Sequence, residues 1–308
     1  MKTLTTIDLN WTGRPQSIAA MLIESGGETA IIDPGPASTL PSLRAGLRAR
    51  GHDVKMVDWL LLTHIHLDHA GATGALVREN PKIKVCVHES GAAHMIDPCR
   101  LLASAGRLYG GDLQPLYGEC LPVPSDRLTS LKGGERIRIG ETELEVLYSP
   151  GHASHHVTYW DRQSGTAFVG DTAGLRVEGD SFLLPATPPP DIDVELWNNS
   201  IDAIVSLGPE RIFLTHFGFI DNPIEHFQRY KGRLAEWTNL TRRLLESGMD
   251  PAEAGKSFVE TLSSEVKSIL PDDVANHYLF NGALQLSWLG MMRYVRKKDQ
   301  RAKTVVIA

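Results

Sequence analysis

The sequence predicts a mixed α/β or α+β fold that carries a helical appendage at its C-terminal end. Short apolar runs alternate with turn signals through the larger N-terminal part, and helical stripes separate several of these runs. From Asn222 onward the pattern is helical alone. The 308 residues are enough for one large domain or for a main domain with a smaller companion. With 42% hydrophobic and 22% charged residues, a sizeable core is available.

Residues 18–23 and 29–32 read as strands joined at Gly26-Gly27, a hairpin signal. Asp33-Pro34-Gly35-Pro36 ends the second of them. Leu40, Leu43 and Leu47 mark a helical face that stops near Gly51. The apolar run 57–62, interrupted at Asp58, predicts a buried strand, 70–78 a helix closed by Asn80-Pro81, and 83–87 another strand. Residues 90–124 mix small residues with Tyr109, Tyr117, prolines and glycines, and read as a long irregular connection of the lid or binding-loop kind. Strands resume at 136–139, 143–148, 157–160 and 166–169. Residues 185–190 read as a rigid proline-rich linker, Asp193 as the cap of a helix to about 207, and 211–214 as the final strand. In the C-terminal part, Ile224, Phe227, Tyr230, Leu234, Trp237, Leu240 and Leu244 recur at steps of three and four. Asp250-Pro251-Ala252-Glu253 is a helix start with a capping acid and proline in the first turn.

The chemistry concentrates in Thr63-His64-Ile65-His66-Leu67-Asp68-His69, directly after a predicted strand. His64 and His66, two apart in extended chain, project to one side and can share a metal. Asp68 and His69 sit where the chain turns into a helix and can hold a second one; nitrogen and carboxylate ligands of this kind suit zinc. Three further segments each place a metal-competent side chain at a strand exit: Ser149-Pro150-Gly151-His152, Gly170-Asp171-Thr172 and Thr215-His216-Phe217-Gly218.

With these motifs, in this order, the chain resembles the metallo-β-lactamase superfamily, whose pattern is HxHxDH followed by His, Asp and His. The similarity covers about residues 1 to 220, and the Ser-Pro-Gly-His run is similar to the glyoxalase II, or hydroxyacylglutathione hydrolase-like, branch. The resemblance implies a four-layer αββα sandwich over residues 1–221 with the metals at one edge, and a helical unit over 222–308. It implies two zinc ions, with iron or manganese as further options: His64, His66 and His152 on the first, Asp68, His69 and His216 on the second, Asp171 bridging. Asp33 resembles the family's early supporting Asp. His156, the second His of a GHxxxH run, supports the ligands rather than joining them.

Two cations about 3.5 to 4 Å apart can share a hydroxide that attacks a carbonyl polarised by one of them. The same charge stabilises the oxyanion. Asp68 is then both a ligand and a proton shuttle, and no Ser or Cys nucleophile is needed. Metallo-β-lactamases proper generally lack the bridging Asp and use Cys in places, and flavodiiron proteins carry Glu where His66 stands. The formal charge of -6 argues against nucleic acid, which demands clustered Lys and Arg. The expected activity is therefore hydrolysis of a small carbonyl ester, thioesters first. A lactonase or phosphodiesterase on the same site, a metal-binding regulatory protein and a mononuclear iron dioxygenase are the alternatives.

Tyr109 and Tyr117 are the substrate-side candidates, each able to offer a phenol or to pack in the lid. His88 and His94 read as mouth residues or as surface and core ones. The basic run Arg293, Arg296, Lys297, Lys298, Arg301 and Lys303 reads as a receptor for anionic groups or as a solvated tail. Trp237, Trp288, Met291 and Met292 read as core, as a homodimer contact or as a roof over the pocket. Cys86, Cys99 and Cys120 form no CxxC pair, the N-terminus does not read as a signal peptide and no apolar run reaches membrane-spanning length. The expectation is a cytoplasmic protein with a small-molecule substrate and no membrane or nucleic-acid partner.

Overall fold

The protein was described as a computed structural model covering residues 2–177, 179 and 182–307, with side chains through residue 300. Strands β1 (Lys2–Asp8), β2 (Ala19–Ser25) and β3 (Glu28–Ile32) form an antiparallel meander. The β2–β3 hairpin pairs Ser25 with Glu28, and Gly26 and Gly27 both have the positive φ (55° and 85°) that such a two-residue turn requires. Helix α1 (Leu40–Ala49) leads to β4 (Trp59–Leu61), then α2 (Leu67–Ala70) and α3 (Thr73–Glu79) lead to β5 (Lys84–His88). Helices α4 (Glu89–Ile96), α5 (Cys99–Tyr109) and α6 (Leu113–Tyr117) precede β6 (Leu128–Leu131). The first sheet has the order β1-β2-β3-β4-β5-β6, parallel from β3 onward.

The second sheet is built from β7 (Arg136–Ile139), β8 (Thr142–Tyr148), β9 (Val157–Asp161), β10 (Thr166–Gly170), β11 (Arg211–Leu214) and β12 (Gly218–Ile220), in the order β12-β11-β10-β9-β8-β7. Helix α7 (Val194–Ser206) crosses between β10 and β11, the parallel pair in this sheet. Helices α8 (Pro223–Glu246), α9 (Pro251–Ile269), α10 (Asp272–Gly282) and α11 (Leu284–Ile307) complete the chain.

The four layers follow from side-chain alternation. On β2, Ala19, Met21 and Ile23 point between the sheets, where they meet Ile139, Leu144, Phe168 and Phe213. Ala20 and Leu22 face the opposite way, toward Leu43, Leu47 and Leu76 of the outer helices. The same division splits Phe168 from Ala167 and Val169 on β10. Strands covered on both faces read as near-continuous apolar runs. The C-terminal stripe is core from Phe227 on, Ile224 being exposed: Phe227, Tyr230, Leu234 and Trp237 share one cluster with Trp160 and Ile212 of the second sheet and with Phe258, Tyr278, Trp288 and Met291. The expected caps are present. Asp193 accepts the Leu196 N–H at 3.2 Å and Asp250 the Ala252 N–H at 2.8 Å.

Several sequence expectations are corrected. Residues 90–124 are helical for much of their length, not an irregular loop. Leu101, Leu102, Ala105, Tyr109, Leu113 and Leu116 turn toward the outer core, and in α5 the steps 101, 102, 105 and 109 are a helical stripe running through the small residues. Strands β1, β6 and β12 escaped the sequence reading, and β11 is therefore not the last strand. All of them are edge strands, two on the first sheet and one on the second. Edges carry a weaker apolar signal, as Thr3, Thr5 and Thr6 of β1 show. Residues 185–190 are not a linker between units but a wall of the cavity described below. In the basic run, Arg293 donates to the Pro190 carbonyl at 3.1 Å and Lys298 pairs with Glu195, while the side chains of Arg301 and Lys303 lie outside the described residues. The three thiols are free. Among the described residues no helix is long and apolar enough to cross a membrane.

His226 on α8 gives the fold a pH dependence. It is buried, and its Nε2 lies 2.8 Å from the Ala173 carbonyl. Burial pushes its pKa down to about 4 from 6.5. A depressed folded-state pKa means that the unfolded chain binds the proton more readily. The contribution of His226 to stability is thus whole above pH 6.5 and shrinks as pH falls toward 4, by as much as ~3 kcal/mol. We expect His226→Gln to be less stable than the parent near neutral pH, with a gap that narrows by about 2 kcal/mol at about pH 5. Urea unfolding of both proteins at the two pH values measures this, and an unchanged gap refutes it.

Candidate metal centre

The predicted ligands follow the C-terminal ends of four strands, with Asp68 and His69 on the short helix α2, and the sandwich brings those ends to one edge. Thr63 to His66 follow β4, His152 follows β8, Asp171 follows β10 and His216 follows β11. Close backbone approach makes this possible at two glycines. A Cβ on Gly170 would lie 2.6 Å from Thr63 Oγ1 and 2.7 Å from His156 Nε2. One on Gly151 would lie 2.3 Å from Trp197 Cα, so α7 presses directly on the turn that carries His152.

His64 Nε2 and His152 Nε2 each lie 3.0 Å from His66 Nδ1. Asp171 Oδ1 is 3.1 Å from His69 Nε2 and 3.6 Å from His216 Nε2, while its Oδ2 is 3.4 Å from His152 Nε2. Asp68 Oδ2 is 3.3 Å from His216 Nε2 and 3.7 Å from His69 Nε2. Three sets of ligand atoms, His64/His66/His152, His64/His69/Asp171 and Asp68/His69/His216, each lie within 4.8 Å of one another.

The rings are aimed from behind. His152 Nδ1 is 2.8 Å from the Ala186 carbonyl and His216 Nδ1 is 2.7 Å from the Ser17 carbonyl. His69 Nδ1 is 2.8 Å from Asp33 Oδ2, and His64 Nδ1 is 3.0 Å from Thr63 Oγ1. With the outer nitrogen donating, the inner one faces the cluster, where it can present a lone pair to a cation. Asp33 is the hub of this support. It also accepts the Thr63 N–H (2.8 Å), the Thr63 hydroxyl (2.7 Å) and the Thr215 hydroxyl (2.8 Å). His156, behind the ligands, sits 3.0 Å from Ser149 Oγ and accepts the Asp171 N–H at 3.3 Å.

These residues fit metal ions. His69 Nε2 and Asp171 Oδ1 are buried without a hydrogen-bond partner. Charge divides the cluster. Burial and the neighbouring rings hold His64 well below its ordinary range, and His66 down to about 4. Burial also opposes charge on His69 and His216, yet Asp171 and Asp68 outweigh it and raise both. Burial opposes charge on Asp68 too, but His69 and His216 hold its carboxyl down to about 2. The carboxylates thus call for positive charge, and the neutral rings offer lone pairs to receive it.

A cavity of about 450 Å³ opens over the cluster, with His66, Asp68, Asp171 and His216 on its floor. The substrate-side candidates both line it. Tyr109 and Tyr117 pack edge to face with centroids 5.0 Å apart. Burial pushes the Tyr109 phenol up to about 12 and raises that of Tyr117 as well, so both stay neutral. His94 lines the cavity, whereas His88 stacks on Tyr148 at 4.4 Å. The sequence reading missed His155, which lines the cavity and is held neutral by burial at about 3, and Trp197, which packs edge-on to His152 at 5.4 Å. His155 was visible as the extra His after His152. The Ala186 and Ser17 carbonyls carry no side-chain signal at all.

The chain belongs to the metallo-β-lactamase superfamily, whose family model matches residues 13–216. It is 29% identical over 178 residues to a metallo-beta-lactamase fold-containing protein of Sulfurisphaera tokodaii, covering 56% of this chain and 66% of that one. It is 25% identical over 155 residues to a hydroxyacylglutathione hydrolase of Legionella pneumophila, covering 50% of this chain and 46% of that one. The matches thus span less than two thirds of either relative. Among solved structures, a metallo-beta-lactamase family protein of Thermus thermophilus superposes with a TM-score of 0.72 at 19% identity, over 97% of this chain and 94% of that one. An archaeal superfamily protein from Sulfolobus tokodaii gives 0.68 at 22% identity, over 94% and 98%. These two show the likeness of fold.

Proposed function

We propose that this protein hydrolyses small carbonyl esters, thioesters first, at a dinuclear zinc centre. The observation that carries this reading is the convergence of inward-facing imidazole lone pairs and two carboxylates, with outer ring nitrogens tied to Asp33, Thr63, Ala186 and Ser17. His64, His66 and His152 would hold one cation, Asp68, His69 and His216 the other, and Asp171 both. When bound, the cations supply Lewis acidity at the carbonyl and a water nucleophile at neutral pH.

The chain's own groups do the rest. Asp68, ionised and partly open to the cavity, takes a proton from the attacking water and returns it to the leaving sulfur or oxygen. The water oxygen bonds to the acyl carbon, the carbon–sulfur or carbon–oxygen bond breaks, and the products are a carboxylic acid and a thiol or alcohol. His69 is locked by Asp33, so the ligand beside Asp68 holds its orientation throughout. The likeness to hydroxyacylglutathione hydrolases favours thioesters over lactones and phosphodiesters.

The experiment is metal content by elemental analysis, paired with turnover of a thioester, lactone and phosphodiester panel. Two zinc per chain with thioester turnover is the expected result. One iron with no hydrolysis overturns it.

A further inference from the structure

The cavity over the cluster is polar at its floor and apolar along its walls. Those walls come from three distant parts of the chain: Trp11 from the N-terminal turn, Leu108 and Tyr109 from α5, and Phe280 from α10. Trp11 ties them together, with ring centroids 5.4 Å from Phe280 and 5.7 Å from Tyr117. Its indole N–H donates to the Leu116 carbonyl at 2.7 Å, so its polar edge is already satisfied. The charge of the site is equally pointed. Among the described lining residues Arg100 is the sole Lys or Arg, against Asp68, Asp171 and Asp191. Outside the proposed metal ligands, the charged side chains among the described lining residues are Arg100 and Asp191, so the walls offer a carrier thiol rich in carboxylates or phosphates few partners.

We propose that this cavity receives the apolar acyl chain of a neutral acyl thioester or ester, and that Trp11, Leu108, Tyr109 and Phe280 set the chain length accepted. The substrate part of this proposal rests on the hydrolase reading above; the recognition of an alkyl chain does not. The carbonyl lies at the polar floor, beside His66 and Asp68, and the chain runs outward between α5 and α10. Each methylene that leaves water for the cavity favours the bound state by a factor of about four.

Two measurements test this on the metal-loaded protein. The first is kcat/KM for acetyl, butanoyl, hexanoyl and octanoyl thioesters of a small neutral thiol. The second is calorimetric binding of the matching series of simple alkyl amides, which need no turnover. The expected result is a rise of about fourfold per methylene in both series until the cavity fills. Ser104, also on the cavity wall, provides the contrast. Ser104→Phe is expected to lower octanoyl kcat/KM at least tenfold and leave acetyl turnover within twofold. Should that variant misfold, Leu108→Ala serves instead and is expected to move the optimum to longer chains.

Acetyl turnover with no chain-length trend in either series overturns the acyl-chain proposal and leaves the hydrolase reading standing. A chain-length trend in amide binding that Ser104→Phe abolishes, with no turnover of any thioester, keeps the cavity assignment and overturns the hydrolase reading.

Discussion

His66→Ala is expected to abolish most hydrolysis while leaving the fold in place. The ring of His66 stands 3.0 Å from the inner nitrogens of both His64 and His152, and its loss leaves the first set with two imidazoles. A cation held by too few ligands loses affinity, and with it goes several kcal/mol of charge stabilisation in the transition state. That corresponds to a fall in kcat/KM of roughly a thousandfold or more. Structure is spared because His66 serves the fold through its backbone. Its carbonyl accepts the His69 and Ala70 N–H groups and starts α2, whichever side chain is attached. Elemental analysis should show metal lost per chain, and thermal unfolding of the metal-free forms should be nearly unchanged. Undiminished turnover in this variant would sink the proposed function.

Asp33→Ala acts in the opposite order, on the fold first and on the centre through it. Asp33 is fully buried and gathers the Thr63 N–H and hydroxyl, the Thr215 hydroxyl and the His69 ring. Truncation strands those donors in the interior, each at a cost of about 1–3 kcal/mol where no water can replace the partner. A total near 5 kcal/mol is expected, a large part of a domain's stability. Thr63 also backs His64 and Thr215 precedes His216, so the ligands of both proposed cations lose their aim. Metal affinity should fall by about 10- to 100-fold. Asp33→Asn keeps the shape and one acceptor oxygen, and should recover part of the stability but less of the affinity. Urea midpoints and chelator competition on both variants separate the effects. Equal metal affinity in all three proteins would show that Asp33 supports the fold alone.

Much of the architecture was legible because buried strands and chemistry both leave local marks. Strands covered on two faces are apolar for most of their length, and residues 18–23, 59–62 and 167–169 read that way. The caps at Asp193 and Asp250 and the Gly26-Gly27 turn are equally local, since each depends on neighbours a few residues away. Edge strands β1, β6 and β12 leave weaker marks, because one side of an edge is free to be polar. Helix α6 is short and gains its stability from contacts with the outer core, whereas α5 carries a legible helical stripe at Leu101, Leu102, Ala105 and Tyr109.

The sequence by itself marked the side chains that the structure gathers into one cluster: the HxHxDH run, then His152, Asp171 and His216. Only the tertiary structure decided how they are aimed and what stands over them. Asp33 reaches Thr215 across 182 positions of chain, His216 leans on the Ser17 carbonyl 199 positions away, and Trp11 meets Phe280. Residue type is written at each position, but such long-range contacts arise only when both sheets and the C-terminal helices have closed around a shared core, and backbone acceptors such as Ser17 and Ala186 leave no mark in the residue code.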